Sequence, residues 1–248
     1  MSTHALLKLA ADPRLIPGVY SYCDHWCEQC RLTSRCLVFA STRAEGEMRD
    51  AGEWFAQISL DMNDAMELLQ QEAAELGVEL SAPPSPEDHS EAQAVRTLVT
   101  EHPLVDHARH YARLADVWLA GHAAAASAHA AARPIDTIRW YELQIGAKLH
   151  RALGSLASGP DDPEPGLQTD GNGSAKVALI GIDASIGAWF DLLALSPSRN
   201  GVAAIIERLH RLREDVEQAF PHARVFVRPG FDTGDAPWPE DLAAWPPA

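Results

Sequence analysis

Apolar residues recur at helical spacing through most of this chain and alternate almost nowhere, which restricts it to helices packed on helices. Met48, Phe55, Ile58, Met62, Met66, Leu69 and Leu76 follow one such period, with Thr42-x-x-Glu45 as a capping box before it and Gly77 as a C-cap after it. A helix of about 34 residues, roughly 50 Å long, is expected there. Ser81 to Asp88 reads as a proline-rich loop. Ser90-x-x-Gln93 offers a second capping signal for a short helix, and Pro103 either kinks the chain or occupies the first turn of the next helix.

The face Ala108, Tyr111, Ala115, Trp118, His122 and Ala125 predicts a helix from Leu104 to Arg133, which Pro134 interrupts. A third helix follows with Ile138, Ile145, Leu149 and Leu156 on one side. Ser158 to Ser174, rich in Pro, Gly and Asp, predicts a flexible connection, and two more helices are expected over Ala175 to Leu195 and Gly201 to Phe220. The one strand-like run is Arg224-Val225-Phe226-Val227; beyond it Trp238 and Trp245 sit among prolines in a tail expected to pack on the helices. The fold class is therefore all-α, a bundle of four main long helices plus shorter ones behind an N-terminal cysteine-rich loop. The expected divisions are 1–42 (cysteine loop), 43–157 (first part of the bundle), 158–174 (linker), 175–222 (second part) and 223–248 (extended tail).

The chain has four cysteines, Cys23, Cys27, Cys30 and Cys36, all within one short stretch near its start. Four thiolates complete either a tetrahedral zinc site or the ligand set of an iron–sulfur cluster. Disulfides are disfavoured because no charged-then-apolar leader directs the chain to an oxidising compartment. A redox Cys27-x-x-Cys30 pair would call for a strand–helix alternation that is missing. Structural zinc commonly uses two knuckles well separated in sequence, whereas here the thiols are contiguous, which favours a [4Fe–4S] cluster over zinc. Arg31, Arg35 and Arg43 could offset a cluster's negative charge, and Tyr20, Tyr22 and Trp26 could shield it from water.

The spacing Cys27-x2-Cys30-x5-Cys36 resembles the last three cysteines of the [4Fe–4S] loop in endonuclease III-type DNA glycosylases, where the first gap is longer. Ile16-Pro17-Gly18-Val19 is similar to the start of their helix–hairpin–helix, with Tyr20 in place of the next glycine. The resemblance covers the cluster loop alone and carries no activity to this chain.

Net charge argues against a nucleic-acid partner. With a formal charge of −15 at pH 7, the surface repels the phosphate backbone that basic residues must neutralise. Arg208, Arg211 and Arg213 cluster on one expected helix, but Glu207, Glu214, Asp215 and Glu217 are interleaved with them and make it a solvated face. A 46% hydrophobic composition suffices for a globular core, and Ala120 to Ala132, broken by His122, Ser127 and His129, is too polar for a membrane span. A cytoplasmic protein is expected.

Three polar residues fall on apolar faces. Asp183 shares a face with Leu179, Ile186, Phe190 and Leu193, and Glu142 shares one with Ile138, Ile145 and Leu149. With His122, these are the weaker candidates for a second metal or catalytic site, since facing carboxylates are how di-metal bundles are built. Buried ion pairs, Asp183 with Lys176 and Glu142 with Lys148, are the structural alternative. Glu207-x-x-His210 lacks the second copy that a ferritin-like di-iron site resembles. His102, His107 and His110 fit solvated first-turn histidines, and Trp140 and Tyr141 fit core packing.

The expected function is a [4Fe–4S] protein acting in electron transfer or as the redox component of an enzyme, its ligands Cys23, Cys27, Cys30 and Cys36. A zinc-stabilised protein–protein interaction module without catalytic activity is the alternative.

Overall fold

Helix boundaries in the computed structural model, which describes residues 8–45, 70, 73–74, 77, 86–122, 129–158, 168–195 and 201–233, are set largely by proline and glycine. The helices are α1 (Leu37–Glu45), α2 (Pro86–Thr100), α3 (Pro103–Gly121), α4 (His129–Ala157), α5 (Asp170–Leu195) and α6 (Val202–Ala219), with short 3-10 turns at Cys27–Gln29, Thr33–Arg35 and Ala223–Val225. Among the described residues there is no strand. The Arg224–Val227 run instead belongs to the last turn and its exit, where Phe226 is buried as a single anchor.

Pro103 takes the first position of α3, where its missing N–H would have no partner anyway, and His102 caps the helix by accepting from the Leu104 amide at 3.2 Å. Pro134 does not interrupt α4. It lies near the start of that helix, so one lost hydrogen bond touches only the terminal turns and the helix runs on to Ala157. Gly201, at φ +86°, turns the chain into α6.

Two capping expectations and one helix start differ from the structure. Thr42 lies inside α1, its hydroxyl donating back to the Val38 carbonyl at 2.9 Å. Ser90 lies inside α2, which already begins at Pro86. Helix α5 starts at Asp170, so residues 170–174 of the expected linker are helical, with the Gly173 amide bonded to Thr169 O at 3.0 Å. The long helix expected between Met48 and Leu76, the linker residues 159–167, and Trp238 and Trp245 lie outside the described residues.

The described chain divides into two compact units. The first takes residues 8–21, 25–45, 70, 73–74, 77, 86–89 and 229–233; the second takes 22–24, 90–122, 129–158, 168–195 and 201–228.

In the first unit, Ile16, Val19 and Leu32 form a small core on which Tyr20, Cys30, Cys36 and Phe231 pack. Ile16 N–H donates to Arg35 O at 2.9 Å, Arg35 Nε to Arg14 O at 3.2 Å and Arg31 to Phe231 O at 2.9 Å, so the cysteine-bearing turns are laced to the segments before and after them. Gly230 closes this core, since a Cβ there would come within 2.7 Å of Ile16 Cδ1.

In the second unit, α4 packs most extensively on α5, α3 lies against α4 and α6, and α5 lies against α6. Tyr111, Ile138, Ile145, Leu149, Leu179, Ile182, Trp189, Leu209, Leu212 and Phe226 are among its largest fully buried side chains, with Trp118 edge-on to Trp189 at 5.1 Å. Burying one such aliphatic side chain contributes about 1.5–3 kcal/mol. Helix α5 is long and apolar enough to cross a membrane, yet Ala178, Leu179, Ile182 and Trp189 are turned into the protein interior.

Candidate metal centre

The cysteine loop is built from two consecutive 3-10 turns. Cys30 N–H closes the first by donating to Cys27 O at 3.2 Å, and Cys36 N–H closes the second by donating to Thr33 O at 3.3 Å. Each turn thus ends on a cysteine in extended backbone. Ahead of them His25 sits at φ +56°, a left-handed conformation that costs a residue with a Cβ about 1–2 kcal/mol and that lets Cys27 N–H reach His25 O at 2.9 Å.

All four cysteines are half-buried and none is in a disulfide. The Leu32 amide points at the Cys30 sulfur, N···S 3.4 Å. An N–H aimed at a sulfur two residues earlier delocalises thiolate charge and is one of the levers by which proteins tune sulfur-ligated iron. Among the described residues, no three His, Cys, Asp or Glu side chains are already gathered around one point as a preformed cage. Cys27, Cys30 and Cys36 belong to the first unit, and Cys23 to the second.

The residues on either side of Cys23 are fastened to the second unit. Asp24 is held there by three side chains: Trp140 Nε1 donates to its carbonyl at 2.9 Å, Gln144 donates to the same carbonyl, and the Tyr141 hydroxyl donates to its carboxylate at 2.6 Å. Burial, reinforced by the Asp24 carboxylate, pushes the Tyr141 phenol well above its ordinary range. Tyr22, on the other side of Cys23, packs edge-on against Phe226 at 4.6 Å and lies under the Arg151 guanidinium at 5.8 Å. Gly173 makes room for it, because a Cβ there would fall 2.4 Å from the Tyr22 ring. Burial, then Asp170, pushes the Tyr22 hydroxyl up to about 12.

Lys148 lies on this same stretch of α4 and is 7% exposed. Burial pulls its ammonium below the usual lysine range; Cys23, Asp24 and Asp170 act in the opposite direction, and Arg151 adds to the fall. Arg151 is tied to Asp170 through two hydrogen bonds of 2.5 and 3.1 Å.

The weaker candidates are not brought together. Asp183 is 40% exposed and pairs with Arg224 at 2.6 Å and Arg213 at 3.6 Å. The buried stripe of α5 is Leu179, Ile182, Ile186 and Trp189, so Asp183 lies at its margin and Phe190 is exposed. Its expected partner Lys176 donates instead to Phe226 O at 2.5 Å.

Glu142 is half-buried on α4 with its Oε2 lacking a hydrogen-bond partner. Burial, then Asp116, raises its carboxyl above the ordinary range against the pull of Arg139. Lys148 is not its partner, since six residues along a helix turn a side chain about 120° away.

His122 ends α3 with its Nδ1 donating to Trp118 O at 2.8 Å and its ring stacked on Trp118 at 4.1 Å. His107 faces Asp215 at 3.2 Å while His102 caps its helix, so these histidines serve local structure. Glu207 is paired with Arg211, and Arg213 contacts His210 at 2.9 Å, as a solvated helix face would be.

Sequence reasoning missed the roles of Asp24, Lys148 and Arg151. The available signal was the helical run Trp140, Tyr141, Gln144, Lys148, Arg151, whose spacings of three and four put polar ends on a single stripe. No protein-family model, curated protein or solved structure matches this chain.

Proposed function

We propose that this chain is a [4Fe–4S] protein in which Cys23, Cys27, Cys30 and Cys36 are the ligands, the long helices form a supporting four-helix bundle, and the activity is electron transfer or the redox half of an enzyme. The Leu32 amide directed at the Cys30 sulfur carries the reading, in a loop whose cysteines are all outside disulfides. Contiguity supports it: one residue of extended chain spans at most about 3.6 Å, so neighbouring thiols in this loop are tethered close to any shared centre. When bound, the cluster would supply a one-electron couple; the chain supplies the sulfurs, the amide aimed at Cys30 and the apolar packing of Cys30 and Cys36 against Ile16, Val19 and Leu32.

The test is metal and acid-labile sulfide analysis of protein purified without oxygen, beside Cys30→Ala. Brown protein holding iron and sulfide, with most of both lost in the variant, is the expected result. A colourless protein with stoichiometric zinc and no sulfide would replace the reading by the zinc-stabilised interaction module. Full metal retention in Cys30→Ala would remove the four-ligand assignment, because each thiolate completes one coordination sphere.

A further inference from the structure

Hydroxyls on the helices of this protein usually return their proton to their own backbone. Thr42, Thr97, Thr137 and Ser158 each donate to the carbonyl four residues back. Ser185, in the middle of α5 and 0% exposed, does not: its Oγ is buried and has no hydrogen-bond partner among the described residues. That hydroxyl is turned away from the α5 backbone.

Its neighbour across the interior is Tyr111 of α3. Trp189 lies one turn after Ser185 on the same buried face, and a helical side chain leans over the turn that precedes it, so the Trp189 ring lies back towards Ser185. Trp189 Nε1 donates to the Tyr111 hydroxyl at 3.3 Å, which brings that hydroxyl over the Ser185 turn. Having accepted from Trp189, the Tyr111 hydroxyl still has its own proton to give, and no acceptor takes it among the described residues.

Glu142 of α4 comes to the same level. A Cβ on Gly146 would stand 3.8 Å from Ala108 Cβ, so these two positions of α4 and α3 face each other. Residues 122–128 alone separate the two helices, a connection that makes neighbours antiparallel, and one turn back from Gly146 is therefore opposite one turn on from Ala108. Glu142 is thus level with Tyr111 and Ala112, and its Oε2 is buried without a partner. Burial pushes the Tyr111 phenol up to about 12; Ser185 and Trp189 oppose that rise and Glu142 adds to it, as groups gathered around one oxygen would.

We propose that Tyr111, Ser185 and Glu142 form an internal binding site for one water molecule, which accepts from the two hydroxyls, donates to Glu142 Oε2 and joins α3, α4 and α5. The donor set selects this occupant. Two hydroxyl protons need an acceptor and a carboxylate oxygen needs a donor; water is both, and about three hydrogen bonds is the usual complement of a buried water. A metal cation would meet one carboxylate alone, and an anion would be repelled by it. The inference is independent of what the cysteines bind.

The experiment counts long-lived internal waters by oxygen-17 magnetic relaxation dispersion on the full chain, as wild type, Ser185→Ala, Tyr111→Phe and Glu142→Gln, with thermal melts to establish folding. Wild type should hold one more long-lived water than Ser185→Ala and one more than Tyr111→Phe, since each variant removes one of three hydrogen bonds. Glu142→Gln, which keeps an acceptor oxygen in the same place, should retain the wild-type count.

Equal counts in wild type, Ser185→Ala and Tyr111→Phe overturn the proposal, because the two hydroxyls would then be satisfied without water. A count that falls as far in Glu142→Gln as in the other two also overturns it, since charge rather than hydrogen bonding would then hold the occupant. Should Tyr111→Phe not fold, Ser185→Ala and Ser185→Val carry the same readout.

Discussion

Replacing Gly173 and Gly187 by alanine, one at a time, should shift stability in opposite directions although both lie in α5. At Gly187 an added Cβ meets nothing within 4 Å. The substitution there removes only the conformational freedom of glycine, which stabilises a helix by about 0.8–1 kcal/mol. At Gly173 the same Cβ would stand 2.4 and 2.5 Å from two atoms of the Tyr22 ring and 2.7 Å from Phe226 Cζ, about an ångström inside ordinary contact.

Neither ring can yield cheaply. Tyr22 is packed edge-on against Phe226 and covered by Arg151, and Phe226 is 1% exposed. Overpacking of this kind costs about 1–3 kcal/mol, and with two rings struck the upper end applies. Setting that against at most about 1 kcal/mol of helix propensity leaves a net loss near 2 kcal/mol. At about 2–4 °C per kcal/mol for a chain of this size, Gly173→Ala should melt roughly 4–8 °C below wild type and Gly187→Ala about 2–4 °C above it. Differential scanning calorimetry on the metal-free proteins measures both. A Gly173→Ala protein melting level with Gly187→Ala would refute the argument that the Tyr22 ring fills the space over α5. If Cys23 is a ligand as proposed, a Tyr22 ring displaced in Gly173→Ala should also lower metal retention.

Asp183→Asn should cost less than about 1 kcal/mol in urea denaturation, because its arginine pairs are partly exposed; a loss of 3 kcal/mol or more would restore the inward-facing carboxylate. Glu142→Gln should match or exceed wild-type stability at pH 7. Burial raises this carboxyl, so its cost is absent below the ordinary value of 4.5, appears as pH rises through the unfolded and then the folded pKa, and persists above. Melts of the two proteins should therefore converge at pH 4 and separate towards neutrality, and a variant less stable than wild type at pH 7 would contradict this sign. Binding to duplex DNA in an electrophoretic assay should be undetectable at physiological salt, given a net charge of −15; salt-sensitive binding below micromolar concentration would refute that.

Helical period was enough to read the all-α class and the buried Tyr111, Ile138, Ile145 and Leu149, because each depends on residues a turn or less apart, while at Pro103 the sequence left a kink and a first-turn position open and the structure shows the latter. Cysteine contiguity is local in the same way, and the metal centre proposed from it rests on ligand type and tether length alone. Tertiary structure decided what distance along the chain conceals. Asp183 shares a helical period with apolar residues, yet Arg224, forty-one positions later, draws it outward, and no periodicity in α5 could announce that arginine.

Pro134 should stop a helix by its own chemistry, but its place near the start of α4 makes the lost hydrogen bond inexpensive and packing carries the helix through. Lys148 looked like a partner for Glu142, six residues away on its own helix. The fold instead fastens Asp24 to α4 through Trp140 and Tyr141, residues more than a hundred positions away, and no periodicity within α4 could announce that long-range contact.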